Sequence, residues 1–143
     1  MKFSAVRVLV SSVLCLLGGC ASLREAEARD DVRDAKVAGW VYRQPCSEVV
    51  RATRELLFAK DFQVTAPADA LEFETSWRLK RGAQMHAGTR FLISATVVES
   101  GGCRLEATRQ QLNQSGGSDG GERDLDLEWE VLRRVDPEAA KAR

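Results

Sequence analysis

Three patterns in the 143-residue chain predict an α+β fold. Apolar side chains recur at helical spacing between Pro45 and Lys60, as on the buried stripe of an amphipathic helix. Between Leu71 and Gln111 the period falls to two, the mark of strands with one buried face. A last segment, Asp124–Val135, carries acids first and Arg133-Arg134 last, the order a helix macrodipole favours. Runs of antiparallel strands with helices packed on one face make a layered fold. The expected architecture is an antiparallel sheet of about five strands, one face covered by helices, in the order β-α-β-β-β-β-α.

Each element has its own signal. Val37–Tyr42 reads as the first strand, with Trp40, Val41 and Tyr42 supplying aromatic and β-branched character. Gln44-Pro45 interrupts it, and Pro45 suits a first helical turn, where its missing N–H is no loss. Val49, Ala52, Thr53, Leu56 and Leu57 then form one stripe, while Arg51, Arg54 and Glu55 fall elsewhere. Phe62 and Val64 alternate with Gln63 and Thr65 before a turn at Pro67–Ala70. Leu71, Phe73, Thr75 and Trp77 alternate with Glu72, Glu74, Ser76 and Arg78, one face apolar and one wet. After a loop at 79–88, a strand from Thr89 to Glu99 turns Phe91, Ile93, Ala95 and Val97 inward. Ser100–Gly102 is a tight turn, and Cys103, Leu105 and Ala107 continue one face of an antiparallel partner ending near Gln111. Residues 113–122 form a Gly- and Ser-rich loop. Over 124–135, alternate Leu125, Leu127, Trp129 and Val131 fit a strand, whereas Leu125, Trp129, Leu132 and Val135 fit a helix. The charge order selects the helix, which Asp136-Pro137 ends.

The N-terminus reads as a targeting signal. Lys2 and Arg7 precede an apolar run, Val8–Leu17, and small residues follow, the layout of a secretory signal peptide. The run is about ten residues, well short of the ~20 that span a bilayer. Leu17-Gly18-Gly19-Cys20 resembles the lipobox of bacterial lipoproteins. That resemblance implies cleavage between Gly19 and Cys20 and a diacylglycerol on the Cys20 thiol, with palmitate-type chains holding the protein to a membrane. Position 21 is Ala rather than the Asp that marks inner-membrane retention in many such proteins. The resemblance therefore implies the outer membrane, with the protein on its periplasmic face.

The expected domains are a signal peptide (1–19), a lipidated N-terminus and charged tether (20–36), and a single α+β domain (37–143). The tether has no face apolar enough to dock, and pairs such as Glu25–Arg29 favour a transient helix. The chain has 21 basic and 21 acidic side chains, and losing Lys2 and Arg7 with the signal leaves a slight acidic excess. Without a basic excess to neutralise phosphates, nucleic acid is excluded as a partner. The lipid suffices for membrane residence, because several acyl chains anchor far more stably than one.

Of four cysteines, Cys15 leaves with the signal and Cys20 is acylated on this reading, so Cys46 and Cys103 remain in an oxidising compartment. In the favoured arrangement 62–66 and 71–78 form a hairpin, both cysteines lie at the same end of the sheet and a bond between them is permitted. If 62–78 crosses the sheet once, they lie at opposite ends and cannot bond.

The remaining residues offer little chemistry. Cys46 sits near a helix start, where a thiol pKa falls, yet the one histidine, His86, belongs to a loop at the far end of the expected sheet. Structural cystine or a buried thiol is the better reading for Cys46. His86 beside Met85 lacks Cys, Asp or Glu at ligand spacing, so a surface loop is favoured over a metal site. Lys80 and Arg81 form a small basic patch able to touch a carboxylate or phosphate. Glu72 and Glu74 share one strand face about 7 Å apart. Paired carboxylates suit a glycosidase, but acids on a wet strand face are the default. Trp40, Trp77 and Trp129 read as core or core-edge residues. No Gly-rich phosphate loop follows a strand and no Ser-centred nucleophile elbow is present, so no cofactor is expected.

A second resemblance covers Val41–Gln111 and the closing helix. A strand leads into a helix with an aliphatic stripe; a Phe62-x-Val64 strand, a turn, a strand ending Thr75-Ser76-Trp77-Arg78 and two further strands follow. The closing helix carries Trp129 and Leu132. This arrangement is similar to the repeated domains of the C-subunit lipoproteins of the outer-membrane β-barrel assembly machinery. Here there is one unit rather than two, and the cysteines are not part of that pattern. The resemblance implies a non-catalytic lipoprotein whose partner is another envelope protein. Glu72, Glu74 and Arg78 on the wet sheet face, with Lys80 and Arg81 in the following loop, are the expected contact surface. The alternatives are a small-ligand or cell-wall binding domain with a pocket between helix and sheet, and a cell-wall hydrolase using Glu72 or Glu74.

Overall fold

In the computed structural model, which describes residues 24–79, 87–112 and 115–141, helix α1 covers 24–38. The chain divides into two units between Lys36 and Val37. In the first, the helix is exposed and carries i,i+4 and i,i+3 pairs, Glu25–Arg29 at 3.7 Å and Asp30–Arg33 at 3.8 Å. Pairs this exposed contribute only a few tenths of a kcal/mol.

The second unit is the α+β domain. Its helices are α2 (Cys46–Ala59), α3 (Leu125–Val135) and α4 (Pro137–Lys141). Its strands are β1 (Glu72–Glu74), β2 (Arg78–Leu79), β3 (Gly88–Val97), β4 (Cys103–Gln111) and β5 (Glu122–Arg123). They form one five-stranded antiparallel sheet in which β1 and β2 both pair with β3, β3 with β4 and β4 with β5.

The β3–β4 hairpin is the spine of the domain. Alternation buries Phe91, Ile93, Ala95, Cys103, Leu105 and Ala107 on one face, but Val97, expected inward, lies at the strand end beside the turn and is 60% exposed. The strands join through Gly101, whose φ of 83° supplies the left-handed residue that a three-residue hairpin loop requires. Next to it Gly102 has no room for a side chain: a Cβ would lie 2.6 Å from the Tyr42 carbonyl oxygen.

Helices α2 and α3 pack antiparallel on the buried face. Val49, Val50, Thr53 and Leu57 of α2 meet Leu127, Val131 and Leu132 of α3 in the core. Ion pairs Glu55–Arg134 at 3.0 Å and Lys60–Glu130 at 2.8 Å bridge their outer edges. The 124–135 segment is therefore helix. Asp124 caps it by accepting the Leu127 N–H at 2.8 Å, which fixes where it starts.

Two strand expectations are corrected. Residues 37–38 continue a helix, and only Tyr42 of the expected first strand pairs, exchanging two backbone bonds of 2.8 and 2.9 Å with Cys103. Val37 is buried all the same, so a helix end supplies the apolar contact that a strand was expected to make. The expected 62–66 and 71–78 hairpin is real but short, marked by the Val64↔Thr75 bridge and the Ser76 N–H to Gln63 carbonyl bond.

The 71–78 strand does not run unbroken. Four steps from Glu74 to Arg78 lie against three from Leu92 to Thr89, so one extra residue is bulged out. Thr75 stays on the buried face, where its Oγ1 accepts the Phe91 N–H at 3.0 Å. Beyond it the faces exchange. Trp77 lies on the outer face under the Arg90 guanidinium, 4.7 Å from the ring centroid, and not in the core. Arg78 turns to the helix side and stacks on Phe62 at 4.3 Å. The expected wet face carrying Glu72, Glu74 and Arg78 is thus split between two sides of the sheet.

With the hairpin formed, Cys46 at the start of α2 and Cys103 at the start of β4 share one end of the sheet. They are joined by a disulfide with a Cα–Cα distance of 5.0 Å.

A buried carboxylate completes the core. Glu128 of α3 is 1% exposed. Its Oε1 accepts the Ala107 N–H at 2.9 Å, on the edge of β4 that no strand covers at that point. Arg123 of β5 donates to both Glu128 oxygens at 2.9 Å and, through Nη2, to the Ala38 carbonyl at 3.2 Å. That bond to Glu128 raises the Arg123 pKa, against the smaller opposing effect of burial. Nearby, burial raises the Tyr42 hydroxyl pKa well above its ordinary 10.0, and the charges of Glu128 and Asp136 push it the same way.

Candidate functional site

Two surfaces have functional geometry. The first is the outer sheet face, which, among the described residues of the second unit, no helix covers. Register places Glu72, Ser94 and Glu106 in one row across β1, β3 and β4, and Glu74, Leu92 and Thr108 in the next. These six line a shallow depression of about 420 Å³. Glu74 accepts a 3.0 Å bond from Arg90, and Glu72 a 3.4 Å bond from the Ser94 hydroxyl. Arg90 also donates to Gln110 at 2.8 Å, so its fork is used within the face. Both glutamates are exposed, as the alternation predicts.

The second is a cleft of about 330 Å³ at the end of the helix–sheet layer opposite the disulfide. Its sheet wall comes from the last inward positions of the strands. Arg78, Thr89 and Gln111 form one row across β2, β3 and β4, with Phe91 and Arg109 in the row behind. Its helix wall is the start of α3, with Asp124, Asp126 and Glu130. Lys60 and Phe62 close one side. Phe62 and Phe91 meet edge to face with ring centroids 4.9 Å apart.

Charges in the cleft are paired unevenly. Lys60 binds Glu130, and Arg109 lies 3.4 Å from Asp124. Arg78 has no carboxylate partner among the described residues; its Nη1 donates to the Lys60 carbonyl at 2.7 Å.

Of the residues singled out by sequence, Glu72 and Glu74 lie together on the outer face and Arg78 lies in the cleft. Gly19, Cys20, Lys80, Arg81, Met85 and His86 fall outside the described residues. Cys46 and Cys103 are consumed by their bond, so neither is a free nucleophile.

Sequence reasoning missed the cleft, although one signal for it exists. Along β4 the inward positions run Cys103, Leu105, Ala107, Arg109 and Gln111, so the buried face turns polar over its last two positions. A core that ends in an arginine and a glutamine ends in a polar opening. Glu106 and Arg90, on the outer face, carried no distinguishing signal.

Among the described residues no helix is long and apolar enough to cross a membrane. The chain matches no protein-family model, no curated protein and no solved structure.

Proposed function

We propose that this is a lipid-anchored lipoprotein of the bacterial outer membrane, facing the periplasm, whose domain is a non-catalytic protein-interaction or scaffold module. The anchor rests on the Leu17-Gly18-Gly19-Cys20 motif. The interaction role rests on one structural observation: among the described residues, every helix of the domain that packs on the sheet lies on one face, leaving the other open around Leu92, Ser94 and Thr108. An uncovered sheet face with a leucine and two hydroxyls at its centre and charged side chains around them is a form a protein contact can take.

The test has two readouts. Palmitate labelling and membrane fractionation compare wild type with Cys20→Ser, and a photocrosslinker is placed at Ser94 or, as control, at Arg51 on the exposed side of α2. The expected result is loss of label and membrane location in Cys20→Ser, with an adduct from Ser94 and none from Arg51. Unlabelled wild type overturns the anchor. Equal adducts from both positions overturn the outer face as the contact surface.

A second reading, a small-ligand or cell-wall binding domain, is favoured by the cleft. Its volume of about 330 Å³ lies between helices and sheet, at the lower bound of small-molecule sites.

A further inference from the structure

Arg104 and Glu106 stand side by side on the outer face of β4, and both side chains are exposed. By strand rise they lie about 7 Å apart. Among the described residues neither side chain makes a hydrogen bond or an ion pair, although the Glu106 charge reaches Arg123 through space. The other charges of this face are engaged. Arg90 holds Glu74 at 3.0 Å and Gln110 at 2.8 Å, and Glu72 takes the Ser94 hydroxyl at 3.4 Å. One acid and one base, adjacent and unanswered, are left on β4.

Their surroundings make that pair self-complementary. Cross-strand register sets Thr96 beside Arg104 and Ser94 beside Glu106. One row further out on either side, Leu92 stands beside Thr108, and Val98 beside Gly102 through a 2.9 Å backbone bond. Consider a two-fold axis lying in the plane of a face-to-face contact, across the strands and between the Arg104 and Glu106 rows. It lays Arg104 over Glu106 of the second copy, and Glu106 over Arg104 of the second copy. It also brings Thr96 onto Ser94 and Leu92 toward Val98, hydroxyl to hydroxyl and aliphatic to aliphatic. No acid of the face meets an acid: the Glu72 row faces the Arg104 row, and the Glu74 row faces the Gly102 row. A two-fold along β4 instead lays Arg104 over its own copy, and like charges set together are costly. A symmetric contact between identical chains requires this kind of self-matching. Stacked sheets keep their strands within about 30° and about 10 Å of each other, a gap that Arg and Glu side chains close together.

We propose that the domain pairs with a second copy of itself, outer face on outer face, through two reciprocal Arg104–Glu106 ion pairs. This rests on the outer face being a contact surface and names the partner as this same chain. With so little apolar area the contact is reversible, with a Kd on the order of 100 μM.

The experiment is sedimentation equilibrium of the purified full chain in a density-matched detergent, at concentrations spanning that Kd. Wild type is expected to show a monomer–dimer equilibrium. Arg104→Glu and Glu106→Arg each set like charges together twice, and each is expected to weaken the dimer by about tenfold or more. The double exchange restores opposite charges and is expected to return to within about threefold of wild type. That recovery separates loss of the contact from loss of the fold. Arg51→Glu, on the exposed side of α2, is expected to change nothing. A double exchange no tighter than the single ones overturns the Arg104–Glu106 pairing. A monomer at every concentration, or a dimer indifferent to the exchanges, overturns the second copy as the occupant. The photocrosslinker at Ser94 separates that failure from failure of the face itself. An adduct of two chains supports the proposal. An adduct with a different protein keeps the face as a contact surface and overturns self-pairing, and no adduct above the Arg51 control overturns both.

Discussion

The two ends of the layer between helices and sheet are closed by different means. Where α2 begins, closure is covalent and buried: the Cys46–Cys103 bond, the paired Tyr42 and Cys103 backbones, and Gln44 donating to the Val135 carbonyl at 3.2 Å. Where α2 ends, closure is by charged pairs around a cleft, the half-exposed Lys60–Glu130 and a half-exposed Arg109 on the buried Asp124, with Arg78 stacked at the mouth. The first end behaves as a foundation and the second as a surface. Changes at the first are expected to cost stability, and changes at the second to cost recognition.

The disulfide tests this difference most strongly. It closes a loop across 57 residues of sequence separation, which in the chain-entropy model stabilises by about 4 kcal/mol. The Cys46→Ala/Cys103→Ala double variant is expected to lose about that much in urea unfolding, a large share of a domain's ~5–15 kcal/mol. A loss below about 1 kcal/mol would break the comparison, because packing and the Tyr42–Cys103 backbone pair alone would then hold the closed end.

Glu128 comes next. Its carboxylate takes the place of a strand for the Ala107 N–H and holds Arg123 through two bonds. Glu128→Gln keeps the shape but removes the charge and turns donor hydrogens toward Arg123. Breaking one partner of a buried pair costs about 3–5 kcal/mol. Arg123 is partly exposed and can recover water, so about 3 kcal/mol is expected. Urea unfolding measures it. Because Arg123 also bonds Ala38, amide exchange protection near residues 38–42 is expected to fall in the same variant.

Tyr42 gives a pH readout of the closed end. The unfolded chain loses this proton near the ordinary 10.0, whereas the folded protein holds it to higher pH. The neutral hydroxyl therefore contributes stability that is fully present below pH 10.0 and declines as pH rises above it. The expected slope is about 1.4 kcal/mol per pH unit while the unfolded state alone is ionised. The chain has one tyrosine, so absorbance of its phenolate reports this group alone. Tyr42→Phe is expected to remove the slope. Phenolate absorbance appearing near pH 10 in the folded protein would show the closed end open to water.

The contrast also explains which parts of the molecule were legible in sequence. The β3–β4 hairpin was readable because its alternation is unbroken and Gly101-Gly102 marks the turn. Helix α3 was readable from its charge order, and α2 from its stripe. The bulge near Thr75–Trp77 was not, because the pattern Leu71, Phe73, Thr75, Trp77 is the same with or without an extra residue, and only cross-strand register reveals the insertion. That one residue moved Arg78 from the expected wet face into the cleft. Glu128 was equally silent: an acid between Leu127 and Trp129 looks solvated unless the uncovered edge of β4 is known to lie opposite. Both misses concern tertiary pairing, which local pattern does not encode.

The smallest expected effect separates two arginines that local chemistry makes alike. Arg54→Gln removes contacts to three carbonyls that hold the 66–70 turn against α2, and is expected to cost about 2 kcal/mol. Arg78→Gln removes one bond to a carbonyl and an exposed stack on Phe62, and is expected to cost about 1 kcal/mol or less. Urea unfolding of the two variants side by side measures the difference. Equal losses would mean that the open end is structural after all and that Arg78 is another clamp. A clear gap, with Arg78→Gln folding almost as well as wild type, leaves its fork without a structural reason to point into the cleft.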